Sequence, residues 1–584
     1  MSEAGGDDER SDERFLSGAY SPRRLLTLAA ATLVAYLVTT PPVYIYGLGD
    51  QANQLPLIKH TMDPSYLAND WVVGVRTGFT APKFYYNQFV AAVAEVIGLP
   101  EAVLLLYVLS VVAILVGVFV FVRELVGDEL AAVLTVGLLL AHSVAIPGSI
   151  PYPPDLGGNS LIQSYLRTST LANAFVVAGM AVAVKKRYRW AFASLGVATL
   201  FHVTNGFWIA LTVGLCTVAV EARDELQAGD VKGAAAKIPW GAALLYGVIS
   251  SAVVIPLLIA NLSAEAGFEA AYVMAWIRHP HHYVLSTWPV LLTALTIAFM
   301  VGTAAAMYYF RELIFPGPDE SAFALTYVAS IGAILFFGGY VFTEVVPVGT
   351  VIKLTPYRTE DFLYVVLYAG IAKLLVVGLH RAADRTDYDA STFATTSAIV
   401  VVLVATVAWS TPVLMIQTGT ASFDSNLGFS EDTSVSEIAT EIYVMTPSYD
   451  DGLGRAYRWI ESETPRGVVF LAPPSQDGFR LATSRARVVN VKSFPFRTDA
   501  MLEWERRMNA VCDGNIRELA AGESSLAQQC DQGFNTMSES EIRAVADEYG
   551  ATWLLTKNST YDFQQEFSSG EYYVYRISAN ETAT

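Results

Sequence analysis

Charge is scarce in this chain. Only 16% of its 584 residues are Asp, Glu, Lys or Arg, against 53% hydrophobic, and mean hydropathy is +0.40. Uncharged apolar stretches near the roughly 20 residues that cross a bilayer as a helix recur along it, so a polytopic α-helical membrane protein is expected. No GxGxxG or P-loop pattern follows any strand-like run, which leaves nucleotide binding without support. No basic face is present for nucleic acid. No internal repeat is visible, and the spans carry almost no interior charge, which disfavours a transporter built on broken, charged helices. The first apolar run follows Arg23 and Arg24 and has no small-residue cleavage site after it, the pattern of an uncleaved signal anchor.

Eleven spans are expected, near 24–46, 101–122, 130–146, 168–184, 190–203, 206–220, 240–260, 288–308, 322–342, 362–380 and 393–415. The pair 190–203 and 206–220 is short, and a single tilted helix broken locally at Asn205-Gly206 would change the parity. The stretch 84–98 is too short to span and starts with Phe84, Tyr85 and Tyr86, which suits an interfacial helix. With eleven spans, Arg123, Lys185, Lys186, Arg187, Arg189, Lys232, Lys237, Arg311, Arg381 and Arg385 share the side of Arg23 and Arg24. By the positive-inside rule that side is the cytoplasm. The loops 47–83, 147–167, 261–287 and 343–361, and everything after 415, then lie outside a multi-pass protein of the cytoplasmic membrane.

The chain divides into an acidic, aperiodic segment 1–20, expected to be disordered, a membrane domain 21–415, a Ser/Thr/Asp/Glu-rich linker 416–450 and a tail 451–584. Most of the net charge of −18 lies after residue 420. Acidic excess with Arg outnumbering Lys resembles the composition of salt-loving archaea. The tail reads as α/β: GLGRAYRWIESETP and SESEIRAVADEYG are helical, while GVVFLAPP, RARVVNVKSF, ATWLLTK and EYYVYRIS are strand-like, which predicts a small and largely parallel sheet. Cys512 and Cys530 flank a short helix-like segment there and can close a disulfide in an oxidising compartment or stay free; Cys216 falls in a span and reads as a small core residue. Sequons occur at Asn261, Asn558 and Asn580.

The chemistry-bearing residues cluster in the outer loops. A carboxylate just beyond the first span is placed to deprotonate a sugar-acceptor hydroxyl, or to hold Mg²⁺ or Mn²⁺ against a departing lipid phosphate. Asp50, after a Gly-Leu-Gly turn, is the leading candidate. Asp63 before Pro64 and Asp70 before Trp71 follow, each with a structural alternative as a turn or helix cap. A second constellation is Arg278-His279-Pro280-His281-His282-Tyr283, which holds three of the seven histidines. It suits phosphate or sugar contact, or interfacial packing; His281 is also a possible metal ligand with Asp50, but no Cys or Glu-x-x-His partner supports zinc. Outer-side cations are otherwise few: Lys59, Arg76, Lys83, Arg167, Lys353 and Arg358. Arg358, just before a span, can grip a lipid phosphate or snorkel to headgroups. His202 with Asn205, and Asn159 with Asp155, can line the same cavity or pack helices.

The long acidic first loop, the amphipathic stretch after it, the many spans and the terminal α/β domain resemble the GT-C superfamily of membrane glycosyltransferases. More narrowly, DPSYLANDW, FHVTNGFW, PHHY, PPSQDGFRLATSRARVVNVKSFPF and EWERRM are similar to an uncharacterised bacterial and archaeal multi-span family with a DPS-to-Asp-Trp first loop and a KSFPF tail motif. That resemblance groups Asp63, Asp70 and Trp71 as one unit and Phe479, Arg480, Lys492, Phe494 and Phe496 as another, the latter a surface by which the tail docks on the membrane cavity. The chain lacks the WWDYG-type motif of oligosaccharyltransferases and a clean Asp-x-Asp or Glu-x-Asp pair in the first loop. The GT-C likeness implies transfer of a sugar from a polyprenyl (dolichyl) phosphate to a lipid-linked glycan or surface glycoprotein. A non-enzymatic lipid or glycan carrier, or a surface scaffold, is the alternative.

Overall fold

The computed structural model describes residues 44–143, 161–262, 267–383 and 451–577, apart from Leu48, Ser164, Glu523 and Ser524, together with the short strand at 444–445. The expected spans 24–46 and 393–415, and Asp155, Asn159 and Asn580, lie wholly or almost wholly outside the described residues.

Five described helices are long and apolar enough to cross a membrane: Leu99–Val126, Val203–Glu221, Trp240–Asn261, Pro318–Val345 and Pro356–Ala383. Shorter apolar helices cover Glu129–Leu140, Thr168–Val184 and Thr293–Tyr309. The ambiguous pair resolves into two helices, Tyr188–Phe201 and Val203–Glu221, and the break falls at His202, whose extended backbone ends one and begins the next. Asn205 and Gly206 sit inside the second helix. A side chain at Gly206 would meet the backbone of Thr199 at 2.4 Å, so glycine is what lets the two helices close up. Residues 334–345 depart from α geometry: the helix from Pro318 continues as a π-helix over Ile334–Val345. The interfacial candidate is a 14-residue helix, Phe84–Ile97.

Loop contacts sort into two sets. Lys185 meets Glu124, and Lys186 and Arg223 both meet Asp319, which gathers the loops expected to be cytoplasmic. At the other end the tail touches the first loop, Asn261, Glu269 and Lys353.

Strands β1 Tyr44–Ile45 and β2 Val444–Met445 pair in parallel, and the tail sheet has the order β4-β3-β5-β7-β6, with β3 Val469–Leu471, β4 Ala486–Arg487, β5 Trp553–Thr556, β6 Gln564–Ser569 and β7 Tyr572–Arg576. Pairs β3–β4 and β3–β5 are parallel, while β5–β7 and β6–β7 are antiparallel. The sheet is therefore mixed, not largely parallel. The strand the sequence hides is β6, a largely polar edge strand with exposed and half-buried side chains that turns into β7 at Gly570, where φ is +59°. Helix Glu539–Tyr549 is opened by a Ser538–Glu541 capping box and closed by left-handed Gly550. Cys512 and Cys530 form a disulfide, and Cys216 is buried in its span.

Helix Thr498–Val511 buries Met501, Trp504, Met508 and Val511, spaced for one helical face. Those residues share a hydrophobic cluster with Leu471, Val488 and Phe494 of the tail and with Ala270, Met274, Ile277, Tyr283 and Ile352 of the membrane domain. The tail thus sits on the helical bundle through a continuous apolar core.

Candidate functional site: a cationic cage around Asp50

Gly47 and Gly49, both with positive φ, turn the chain into helix Gln51–Met62 and set Asp50 at its start. The Asp50 carbonyl accepts from Asn53 N and Gln54 N, while its side chain caps nothing. Gln51 fixes the neighbouring strand of chain: it accepts from Gly47 N and donates to Leu166 O, which brings Arg167 alongside. Arg167 Nη1 lies 3.4 Å from Asp50 Oδ2, and Lys492 Nζ, from the tail, lies 3.8 Å from Oδ1.

Four more cations crowd the same space. Lys83 and Arg358 both act on the Asp50 charge, and Arg76 and Arg278 both feel it. Each is aimed by its element: Arg76 ends helix Trp71–Thr77, Lys83 precedes helix Phe84–Ile97, Arg278 ends the π-helix Val273–Arg278, and Arg358 rides a 3₁₀ turn entered through Thr355 at φ +43°. A left-handed Thr is strained by about 1–3 kcal/mol, held here by the following Pro356 turn. Arg358 Nη1 lies 3.2 Å from His202 Nε2. Tail residues Phe496 and Arg497 close over Arg76 and Lys83.

The electrostatics follow from this crowding. Partial desolvation inside the cage would raise the Asp50 carboxyl, but Lys492, Arg167, Lys83 and Arg358 outweigh it and hold the group well below the usual carboxylate range. Lys83 is pushed down to about 7, first by desolvation and then by Arg76. His281 is pushed down to about 4, by burial and by Arg278 and Arg358. Burial and the same cations keep His202 and His279 neutral. Several buried guanidinium donors in the cage have no protein partner, namely Arg76 Nη1, Arg278 Nε and Arg358 Nε, and the ring nitrogen His279 Nδ1 is likewise without one. Buried donors left unpaired cost free energy unless something outside the chain satisfies them, and these guanidinium groups, whose charges all interact with Asp50, suit an anion with several acceptor oxygens.

The other sequence candidates separate. Asp63 accepts from Ser65 N and Oγ and is exposed, closing its own turn. Asp70 is buried with both oxygens engaged: Oδ1 caps Val73 N, and Oδ2 accepts from Arg480 Nε at 2.6 Å and Arg487 N at 3.0 Å. That leaves neither Asp70 oxygen open to a substrate, and both Asp70 as a helix cap and Asp63 in its turn fill the place that the structural alternative gives them. Trp71 lies under Arg507, which is sandwiched against Tyr549 on its other face, 4.5 Å from each ring, so Trp71 makes a contact with the tail. Tyr283 is buried with its hydroxyl on Met274 Sδ and belongs to the core. His279 packs edge-on against Phe494, and His281 lies against His282 with ring centroids 4.1 Å apart.

Sequence reasoning missed Asp477, whose Oδ2 lies 3.4 Å from Lys492. It also named Arg76, Lys83 and Arg167 without ranking them; the scarcity of outer-side cations was the available signal.

For Mg²⁺ or Mn²⁺ the fit is poor. Among the described residues no three His, Cys, Asp or Glu side chains gather at metal-binding separation. Asp50 and His281, the expected ligands, both stand among Arg and Lys side chains. A hard divalent cation takes a shell of oxygens, usually with more than one carboxylate, and this donor set does not offer one.

Near Arg358, an open apolar groove of about 690 Å³ runs between helix Val203–Glu221 and helix Pro318–Ala333 with its π continuation, lined by Trp208, Leu211, Leu215, Ala329, Phe337 and Val351 among others. Trp208 Nε1 donates to Leu354 O, just before strained Thr355, which joins the groove wall to the Arg358 turn.

Residues 452–511 match the family model described as "Domain of unknown function (DUF6798)", a segment that includes Asp477, Arg480, Arg487, Lys492, Phe494 and Phe496. No curated protein matches the chain. Among solved structures the chain is similar to ArnT from Cupriavidus metallidurans bound to undecaprenyl phosphate, with TM-score 0.38 and 13% identity over 96% of this chain and 99% of that one. It is similar to the same protein in the apo state at TM-score 0.38 and 14% identity, over 95% and 98% of the two chains.

Proposed function

We propose that the protein is a GT-C-like membrane glycosyltransferase that takes a sugar from a polyprenyl (dolichyl) phosphate donor and adds it to a lipid-linked glycan or surface glycoprotein on the outer face of the cytoplasmic membrane. The observation that carries this reading is the cage: six cations and neutral imidazoles converge on one ionised first-loop carboxylate, with unsatisfied buried donors, close to an apolar groove. The cage suits the lipid phosphate and the groove suits its isoprenoid chain.

The chemistry is a displacement at the anomeric carbon. The acceptor oxygen forms the new bond to that carbon while the bond from it to the phosphate oxygen breaks, and polyprenyl phosphate leaves with the bonding electrons. Arg167, Arg358 and Lys83 stabilise the charge that grows on the leaving phosphate. Asp50 receives the acceptor's proton. In the empty site the cations make it a weak base; a bound phosphate shares those cations and so raises the basicity of Asp50 only when donor is present.

Purified full-length protein in nanodiscs, offered a panel of labelled polyprenyl-phosphate sugars with and without EDTA, tests the proposal. Transfer of label to an acceptor with release of free polyprenyl phosphate, unaffected by EDTA, is the expected result. Silence across the panel from folded protein contradicts it, and transfer abolished by EDTA contradicts the metal-free part.

A further inference from the structure

Of the tail side chains around the cage, Lys492 is the one that pairs with Asp50, and the details of that contact set it apart from the rest of the docking surface. Around Lys492 the chain is anchored on both sides. Asn490 and Ser493 are buried and reach Asn53, one turn after Asp50 on the same helix. Phe494 is buried between His279 and Trp504, and Val491 N donates to Pro474 O. Lys492 alone in this run projects into the cage, its side chain 30% exposed.

Its nitrogen stands 3.8 Å from Asp50 and 3.4 Å from Asp477. Both separations exceed the roughly 2.7–2.9 Å of a charge-assisted hydrogen bond, whereas Arg480 and Asp70 close to 2.6 Å. Lys492 is held between two carboxylates and bonded tightly to neither, as a cation does that has room to turn to a third anion. Asp477 is in turn placed by Asn490 Nδ2 at 3.3 Å, with Arg278 of the membrane domain and Arg487 of the tail acting on its charge.

We propose that the tail is part of the catalytic site: Lys492 is a donor-phosphate ligand delivered by docking, and Asp477 is the positioning residue that keeps it aimed at the cage. This rests on the phosphate-donor reading above. It goes beyond that reading in making the site incomplete without the tail, so that a chain with an undocked tail holds its donor more weakly.

The test is binding of a polyprenyl phosphate to the full-length protein in nanodiscs, with Lys492→Met, Lys492→Arg and Asp477→Asn, alongside protease resistance and melting of each variant. Lys492→Met is expected to keep the wild-type melting and protease pattern yet bind about 10-fold or more weakly, the scale of one lost charge-assisted contact, with a shallower dependence on salt. Lys492→Arg restores most of the affinity. Asp477→Asn retains folding and loses affinity by a smaller factor. Unchanged binding in Lys492→Met overturns this inference and leaves the donor reading standing. Tail release in Lys492→Met without rescue by Arg overturns it in favour of a docking role. No binding by the wild type overturns both.

Discussion

Two aspartates of the same loop, Asp50 and Asp70, each face a cation from the tail, and they behave as opposites. Asp70 is closed: its side chain and that of Arg480 are 0% and 3% exposed, the contact is 2.6 Å, and both oxygens of the aspartate are spent on Val73 N, Arg480 and Arg487 N. Asp50 is open: its side chain is 42% exposed, its ion pairs are 3.4 and 3.8 Å long, and more cations surround it than one carboxylate can neutralise. A buried pair with satisfied valences fixes structure. A carboxylate with surplus, under-bonded cations is arranged for something that has yet to arrive. The first holds the tail down so that the second can be assembled across the junction.

Breaking the closed pair gives the largest effect. Arg480→Ala leaves Asp70 charged and buried without its partner, a loss of about 3–5 kcal/mol. Tail docking fails and the segment near Arg480 becomes accessible to protease in otherwise folded membrane protein. Asp50→Asn has the opposite profile: the tail stays docked and the protease pattern is unchanged, while transfer falls by about 10²- to 10⁴-fold, the usual contribution of a positioned base. If the two variants gave the same profile, the distinction between lock and cage would be lost.

The pH dependence sharpens the open side. Lys83 in the empty cage has a depressed value of about 7, so as pH rises through 7 it loses the charge that a phosphate needs. A bound phosphate holds the proton on, so above pH 7 binding takes up a proton and weakens with rising pH, approaching 10-fold per unit. A phosphate monoester has its second ionisation near pH 6, so between pH 7.5 and 9 that trend belongs to the protein. Lys83→Arg, which cannot deprotonate, is expected to flatten it; a curve of unchanged slope in that variant would place the titrating group elsewhere. The smallest effect is Arg507→Ala, which removes a cation from between Trp71 and Tyr549. About 1–2 kcal/mol of tail docking is lost, visible as a lower melting temperature with transfer intact once the tail is docked.

How far the sequence reached differs between these regions for physical reasons. Long apolar helices, the capped helix Glu539–Tyr549 and the strands ATWLLTK and EYYVYRIS declare themselves through hydropathy, capping residues and alternation, all local signals. The position of the break at His202 does not, because a one-residue change of direction between apolar helices leaves the composition untouched. Edge strand β6 carries a single apolar side chain, Phe567, which is too little alternation to read. For the site, Asp50 and Arg358 were legible because a charge beside a span is conspicuous. Asp477 was not, since its meaning depends on Lys492 reaching Asp50 across more than 440 residues of chain. The separate fates of Asp50 and Asp70 were equally hidden, because both are aspartates preceding helices in one loop.

Equilibrium binding of a polyprenyl phosphate to wild type and Asp50→Asn, in the same nanodiscs and without added metal, bears most directly on the cage. Saturable binding that becomes tighter when the competing carboxylate is removed is the result this account predicts; absence of saturable binding, or binding weakened by Asp50→Asn, would contradict it.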